Sequence, residues 1–258
     1  MSEVCGSGGV ELTATHGVTV QRFVLNSLLT NGFVVRDNDT GALAIVDPGD
    51  RLDELVTAAE EWGGDVRWIL VTHCHSDHCA GVGQIVASVG GEVVGPPAGP
   101  YHVDRPVSGG EALDFGARSI LVSATPGHTA DSVSYQIDEH IFVGDFLFRL
   151  GSGRTDGADA STAELFDTVR DVFDDLPDET ILWCGHGPPS TVGEEKAANP
   201  FWRVALSDTD SAPVGEVRYR GRTVPVLAWA ADYDGGRKVL LRLPDGSNVI
   251  VPGSQVAG

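Results

Sequence analysis

Apolar positions along this chain come in short runs punctuated by Gly, Asp and Asn, with stretches of helical spacing between them. Residues 18–24 read as a first strand. Residues 26–35 are apolar with Asn and Gly breaks, and the turn Asp37-Asn38-Asp39-Thr40-Gly41 leads into 42–46, a hairpin signal closed by Asp47-Pro48-Gly49. Asp50 stands where its side chain would cap a helix that puts Leu52, Leu55, Val56 and Ala59 on one face, and Gly63-Gly64 would end that helix. The apolar run 66–71 predicts a buried strand, followed by a His-rich turn and a helix over about 83–89. Residues 90–115 read as loop-rich, interrupted by Pro96, Pro97, Pro100 and Pro106. A short strand is expected at 120–124, and 132–137 with 141–143 form a hairpin turning at Asp138-Glu139. Ser161-Thr162-Ala163-Glu164 is a capping box at the head of a helix running to about 173, and 181–183 is the last strand of this body. Strands and helices alternating in this way predict a layered α/β architecture.

Beyond about residue 212 the pattern changes. Runs at 217–219, 223–230, 238–243 and 248–251 read as strands, with Asp234-Gly235-Gly236 and Asp245-Gly246 as tight turns. This tail carries a formal charge of +2, against −22 for residues 1–211. The shift divides the chain into a body, 1–211, and a small β-rich C-terminal module, 212–258, with 207–213 as linker.

Composition narrows the function classes. With 258 residues and 41% hydrophobic content, the chain suits one large domain, or one domain with a small appendage. No apolar run is long enough to span a bilayer, and the N-terminus lacks a basic segment followed by an apolar one; neither export nor membrane insertion is expected. Four cysteines (Cys5, Cys74, Cys79, Cys184) over this length are not a disulfide framework, so a reducing cytoplasm is the expected location. The net charge of −20 argues against nucleic acid and against anionic membranes as partners.

The chemistry sits where strands end. After the run 66–71 comes Thr72-His73-Cys74-His75-Ser76-Asp77-His78-Cys79-Ala80-Gly81, with three imidazoles and a carboxylate in H-x-H-x-D-H spacing. The strand at 120–124 runs into Thr125-Pro126-Gly127-His128-Thr129, that at 141–143 into Gly144-Asp145, and that at 181–183 into Cys184-Gly185-His186-Gly187. Imidazole and carboxylate are the ligands Zn²⁺, Fe²⁺ and Mn²⁺ take. Each later position alone would be an ordinary turn residue. Together they form a ligand set on the ends of several strands, the usual way an α/β scaffold builds a site.

T-H-x-H-x-D-H, then P-G-H-T, G-D and G-H-G, in that order, resembles the motif set of the metallo-β-lactamase superfamily over roughly residues 18–202. Within it, Gly153-Arg154-Thr155-Asp156 and Ser190-Thr191-Val192-Gly193-Glu194-Glu195-Lys196 before Asn199-Pro200 look like glyoxalase II-type thioesterases and persulfide dioxygenases. The resemblance implies a four-layered αββα sandwich with metals at one edge of its sheets. It implies one divalent ion on His73, His75 and His128, and a second on Asp77, His78 and His186, with Asp145 bridging. The metals would be two zinc ions, with iron or manganese as alternatives. They would carry a hydroxide, oriented by Asp77, against a small-molecule or carrier-bound thioester. The alternative branch implies a single iron on His73, His128 and Asp145, acting on a persulfide with O₂. A non-enzymatic binding module on the same fold is a third alternative.

Other polar residues have smaller parts. Arg154 and His102 are candidates for touching substrate, Arg154 through an anionic group, His102 if its Pro-rich loop covers the site. Arg154 could equally pair with Asp156. His16 and His140 read as solvated, and Cys79 and Cys184 as small packing residues. Asp131, where relatives carry Gly, adds a carboxylate that would influence substrate charge preference. The helical C-terminal domain with which glyoxalase II enzymes hold glutathione has no recognisable counterpart in 212–258, whose strands could instead cover an apolar face, make a dimer contact or dock a carrier.

Overall fold

A computed structural model describes residues 3–4, 11–15, 17–207 and 211–257. His16, Cys5 and part of the expected linker lie outside the described residues. The chain forms two compact units, 1–124 with 131–144, and 125–130 with 145–258. No described helix is long and apolar enough to cross a membrane.

The first unit is built on an eight-stranded sheet paired in chain order. Its strands are β1 (Glu3–Val4), β2 (Glu11–Ala14), β3 (Val18–Val24), β4 (Asn31–Asp37), β5 (Leu43–Val46), β6 (Val66–Leu70), β7 (Glu92–Gly95) and β8 (Arg105–Pro106). Pairing is antiparallel through β5 and parallel from β5 to β8. The parallel part needs crossover helices, which α1 (Asp53–Trp62) and α3 (Val82–Val89) supply, with one helical turn, α2 (Ser76–Cys79), between β6 and α3. Every residue of β5 is buried, as a strand covered on both faces requires. Val34, Leu43, Ile45, Ile69 and Val93 pack with Leu55, Ala59, Val82 and Ile85 of the helices.

The opposite face meets β9 (Ala112–Phe115), β10 (Arg118–Ala124), β11 (Val133–Ile137) and β12 (His140–Gly144), which pair antiparallel in succession. Phe33 and Phe142 touch edge to face at 5.1 Å. The buried Trp68 donates its indole N–H to the Asp114 carbonyl at 2.9 Å, and the buried Tyr135 hydroxyl donates to the Val71 carbonyl at 2.8 Å. Each large polar-tipped ring thus spends its apolar body in the core and its polar atom on a backbone acceptor.

In the second unit are the hairpin β13 (Leu147–Phe148) and β14 (Gly151–Ser152), and the pair β15 (Ile181–Cys184) and β16 (Ser190–Thr191). Its helices are α4 (Thr162–Thr168), α5 (Val192–Ala198) and α6 (Pro200–Ala205). A five-stranded antiparallel sheet follows, of β17 (Gly215–Tyr219), β18 (Arg222–Ala231), β19 (Arg237–Arg242), β20 (Asn248–Pro252) and β21 (Val256–Ala257), in the order β20-β19-β18-β17-β21. Ser161 caps α4 by accepting from the Glu164 N–H at 3.2 Å, as the capping box predicts. Asn199 caps α6 by accepting from Phe201 and Trp202, with Pro200 at its first position.

Three expectations are corrected and one is refined. Helix α1 starts at Asp53 behind Leu52, without a side-chain cap from Asp50; Asp53 and Glu54 in its first turn complement the helix dipole instead. The stretch 90–115 holds β7, β8 and β9, which owe their strand form to pairing, β7 with β6, β8 with β7 and β9 with β10, rather than to local pattern. The helix expected over 162 to about 173 runs that far, its last turn at residues 169–173 being π-helical, where Phe173 stacks on Phe146 at 5.0 Å. His140 is fully buried, with Nε2 3.2 Å from the Thr15 hydroxyl, and burial lowers its pKa.

Asp37 links the two ladders of the first unit. Burial alone would raise its carboxyl, but the Thr40 hydroxyl, the N–H groups of Ala117 and Asp39, and the Arg118 guanidinium outweigh that and hold it below the usual range. A carboxyl depressed in the folded state stabilises fully above its unfolded pKa, and that contribution is lost as pH falls through the folded value. Asp37→Asn should therefore cost about 2 kcal/mol at pH 7. The deficit against the native chain should shrink below about pH 4, as urea unfolding at pH 7 and pH 3 would read.

Candidate metal centre

The chain leaving β6 builds four of the expected ligands in the first unit. Thr72 donates its N–H to Asp47 Oδ1 at 2.8 Å and its hydroxyl to Asp47 Oδ2 at 2.7 Å. With its proton committed to Asp47, the Thr72 hydroxyl accepts from His73 Nδ1 at 3.1 Å. His73 is thereby held with its proton on Nδ1 and a lone pair on Nε2. That Nε2 lies 3.1 Å from His75 Nδ1. Helix α2 then brings up Asp77 and His78. His78 donates Nδ1–H to Asp47 Oδ2 at 2.9 Å, and its Nε2 lies 3.5 Å from Asp77 Oδ2. Thr30 donates to the same Asp77 oxygen at 2.9 Å. His73 and His78 are buried and His75 is exposed.

The backbone behind these ligands is packed without side chains. A Cβ on Gly81 would strike the Gly49 carbonyl, and one on Gly49 the Asp77 carbonyl. The Asp-Pro-Gly turn and the His motif thus lie backbone against backbone, which only glycine at both positions allows.

The second unit holds the other three. His128 donates Nδ1–H to the Arg154 carbonyl at 2.9 Å, which leaves Nε2 as its acceptor atom, 3.6 Å from Asp145 Oδ2. His186, following β15, has Nε2 3.4 Å from the same oxygen. Its ring stacks on Tyr233 at 4.4 Å with the planes 10° apart, and meets Phe148 edge-on at 5.7 Å.

These separations fit a shared cation, and three of the four are longer than ordinary hydrogen bonds. Two ligand atoms each about 2.0–2.1 Å from one tetrahedral ion stand roughly 3.3 Å apart. The donor pairs His73–His75, Asp77–His78, His128–Asp145 and His186–Asp145 lie at 3.1, 3.5, 3.6 and 3.4 Å. Imidazoles locked by carboxylate or carbonyl partners are what a metal site needs to present preset lone pairs.

Arg154 has its guanidinium half exposed, with Nε 2.5 Å from Asp156 Oδ1, and its backbone supports His128. His102 is solvent-facing and lies 3.0 Å from Asp104. Asp131 faces the Cys74 thiol, whose pKa is pushed up to about 12 by burial and then by that carboxylate. Cys79 and Cys184 are buried. Asp47, Thr72, Thr30 and Tyr233 were not among the residues the sequence pointed to. Asp47 lies in a turn motif that reads only as a hairpin end, and its left-handed backbone (φ +48°) shows only in three dimensions.

Comparison with known proteins gives a consistent family. The metallo-beta-lactamase superfamily model matches residues 25–95 and 86–186. The hydroxyacylglutathione hydrolase of Bartonella tribocorum is 29% identical over 241 residues, covering 73% of this chain and 93% of that protein. The enzyme of the same name from Rhodospirillum rubrum is 36% identical over 160 residues, and the match spans 60% of each chain, less than two thirds of that relative. The crystal structure of ETHE1 from Myxococcus xanthus superposes with a TM-score of 0.63 at 28% identity, covering 70% of this chain and 87% of that one. The expected α/β fold of the metallo-β-lactamase type is borne out.

Asp47→Asn tests the support of the ligands, since Asn tolerates the left-handed backbone yet brings an uncharged amide to His78. Metal affinity, measured by competition with a chelator, should fall about 10- to 100-fold while circular dichroism stays native.

Proposed function

The chain belongs to the metallo-β-lactamase superfamily, and we propose that it is a metal-dependent thioester hydrolase of the glyoxalase II type. The observation that carries this reading is the donor geometry: paired imidazoles and carboxylates at metal-ligand separations, with tautomers preset by Asp47 and the Arg154 carbonyl. His73, His75 and His128 are assigned to a first divalent ion, Asp77, His78 and His186 to a second, and Asp145 to both. Zinc suits the set, and iron or manganese would use the same donors. Two such ions would supply Lewis acidity toward a carbonyl oxygen and lower the pKa of a shared water toward ~7.

The protein's own part is positioning. Thr30 donates to the Asp77 carboxylate, which is thereby aimed to orient the attacking water. Asp47 keeps His73 and His78 from turning their protonated nitrogens toward the metals. The names of the Bartonella and Rhodospirillum relatives support a small-molecule thioester as substrate. A net charge of −20 speaks against a nucleic-acid partner. The free thiols of Cys74, Cys79 and Cys184 suit a reducing cytoplasm.

A second reading, a persulfide dioxygenase with one iron on His73, His128 and Asp145, is supported by the likeness to the Myxococcus ETHE1 structure. Two measurements separate them. Elemental mass spectrometry of anaerobically purified protein should find close to two divalent metals per chain. Asp77→Asn and His186→Ala should each lower thioester kcat/KM at least about 100-fold and reduce the metal content toward one. One iron per chain, retained in both variants together with persulfide-dependent oxygen uptake, would overturn the hydrolase in favour of the second reading.

A further inference from the structure

Among the described residues, the second unit contains a cavity of about 550 Å³ with His186 in its wall, within the size range of small-molecule sites. Phe148 and Leu150 line it from the β13–β14 hairpin, Pro188 from the loop after β15, and Trp229 and Tyr233 from β18 and the turn that follows. The C-terminal module therefore contributes the aromatic wall.

That wall is held rigidly. Asp232 and Lys238 form a buried ion pair. The Lys238 ammonium lies 5.3 Å from the centre of the Phe148 ring and 5.4 Å from that of Tyr233, so it also binds the two rings through their faces. Leu150 takes a left-handed backbone (φ +57°) and donates its N–H to the buried Glu195 carboxylate at 2.9 Å. A β-bulge between Val226 and Ala228 shifts the alternation of β18, so that Ala228 and Ala230 are buried while the neighbouring Trp229 keeps 57% of its surface exposed.

The cavity lining is mostly apolar, and its two charged side chains each have a partner. Its ionised side chains are Arg149, paired with Glu194 at 3.3 Å, and Asp232, paired with Lys238. A thiol carrier bearing carboxylates or phosphates would have to desolvate them against Trp, Tyr, Phe and Leu, which is costly. An apolar acyl group would displace water from the same surface at a gain.

We infer that the module 212–258 builds the acyl pocket of the enzyme, and that the thioester's apolar acyl group, a medium-length aliphatic chain or an aromatic one, lies between Trp229 and Tyr233 beside His186. This rests on the thioester reading above. A short hydroxylated acyl group would leave the aromatic wall unused, so the chain should prefer acyl groups more apolar than those.

The test uses the metal-loaded full chain and thioesters of one small neutral thiol, N-acetylcysteamine. The octanoyl ester should exceed the acetyl ester in kcat/KM by about tenfold or more, and Trp229→Ala should lower that ratio about tenfold, while Trp229→Phe keeps most of it. Binding of the non-hydrolysable thioether S-octyl-N-acetylcysteamine, followed by calorimetry, should weaken about tenfold in Trp229→Ala and little in Trp229→Phe. Hydrolysis of both esters with a flat ratio in all three proteins would overturn the acyl pocket and leave the hydrolase standing. If neither ester is hydrolysed, the hydrolase reading fails, and the calorimetry still decides the cavity. Thioether binding that depends on Trp229 would support an apolar ligand site, and no binding would overturn it.

Discussion

The Asp47 carboxylate, buried at the end of β5, is the interaction on which the ligand candidates of the first unit depend. Taking a carboxylate out of water costs several kcal/mol unless charged or polar donors replace the lost hydration. Asp47 has three: the Thr72 N–H, the Thr72 hydroxyl and His78 Nδ1, all within 2.9 Å. Its own N–H donates to the Leu70 carbonyl at 2.9 Å, and the adjoining Pro48 carbonyl accepts from Gly81 at 3.0 Å. The same short segment therefore ties the end of β5 to the end of β6, closes the turn around α2, and sets the tautomers of two ligand candidates. The sandwich of β3–β7 against β9–β12 provides the burial that makes these charge-assisted bonds strong.

What could be read in the sequence was whatever is local. Strands β3, β5, β6, β11 and β12 follow from short apolar runs between turn residues, and α4 from its capping box. All seven ligand candidates stand where such a run stops, so a strand reading also located them. Features that depend on distant partners were hidden. Asp47 works through Thr72 and His78, 25 and 31 positions away. His140 looked like a polar residue at a hairpin and is buried because Thr15, 125 positions earlier, satisfies it. Strands β7 and β8 are short and flanked by prolines, and only parallel pairing gives them their form.

Glu195 makes the same point in the second unit. In the run Thr191-Val192-Gly193-Glu194-Glu195-Lys196 it resembles a solvated helix residue, yet it is fully buried. Burial raises its pKa, and the Leu150 N–H, Ser190 hydroxyl and Asn199 amide offset that by donating to it. Its neighbour Glu194 is the ordinary surface residue, reaching Arg149. Nothing in the local pattern distinguishes the two; the helix phase of α5 against the β13–β14 hairpin does. Asn199 then serves twice, as cap of α6 through Oδ1 and as donor to Glu195 and the Gly151 carbonyl through Nδ2.

The C-terminal sheet was legible as strands and as a shift in charge, but not in what it does. Its significance comes from Tyr233, which lies in the Asp-Gly-Gly turn region and stacks on His186. Stacking occupies the face of the imidazole and leaves the nitrogens at its edge for ligation, so one ring can belong to a metal site and to a cavity wall at once. The Asp232–Lys238 pair next to Tyr233 is internally neutral, and the cation is aimed at ring faces rather than into the cavity. Such a wall adds apolar surface beside His186 without adding an unpaired charge. Because Tyr233 touches His186 directly, whatever fills the cavity would press on a ligand candidate, and under the proposed function the choice of acyl group and the geometry of the metal site become one problem for residues 212–258 to solve.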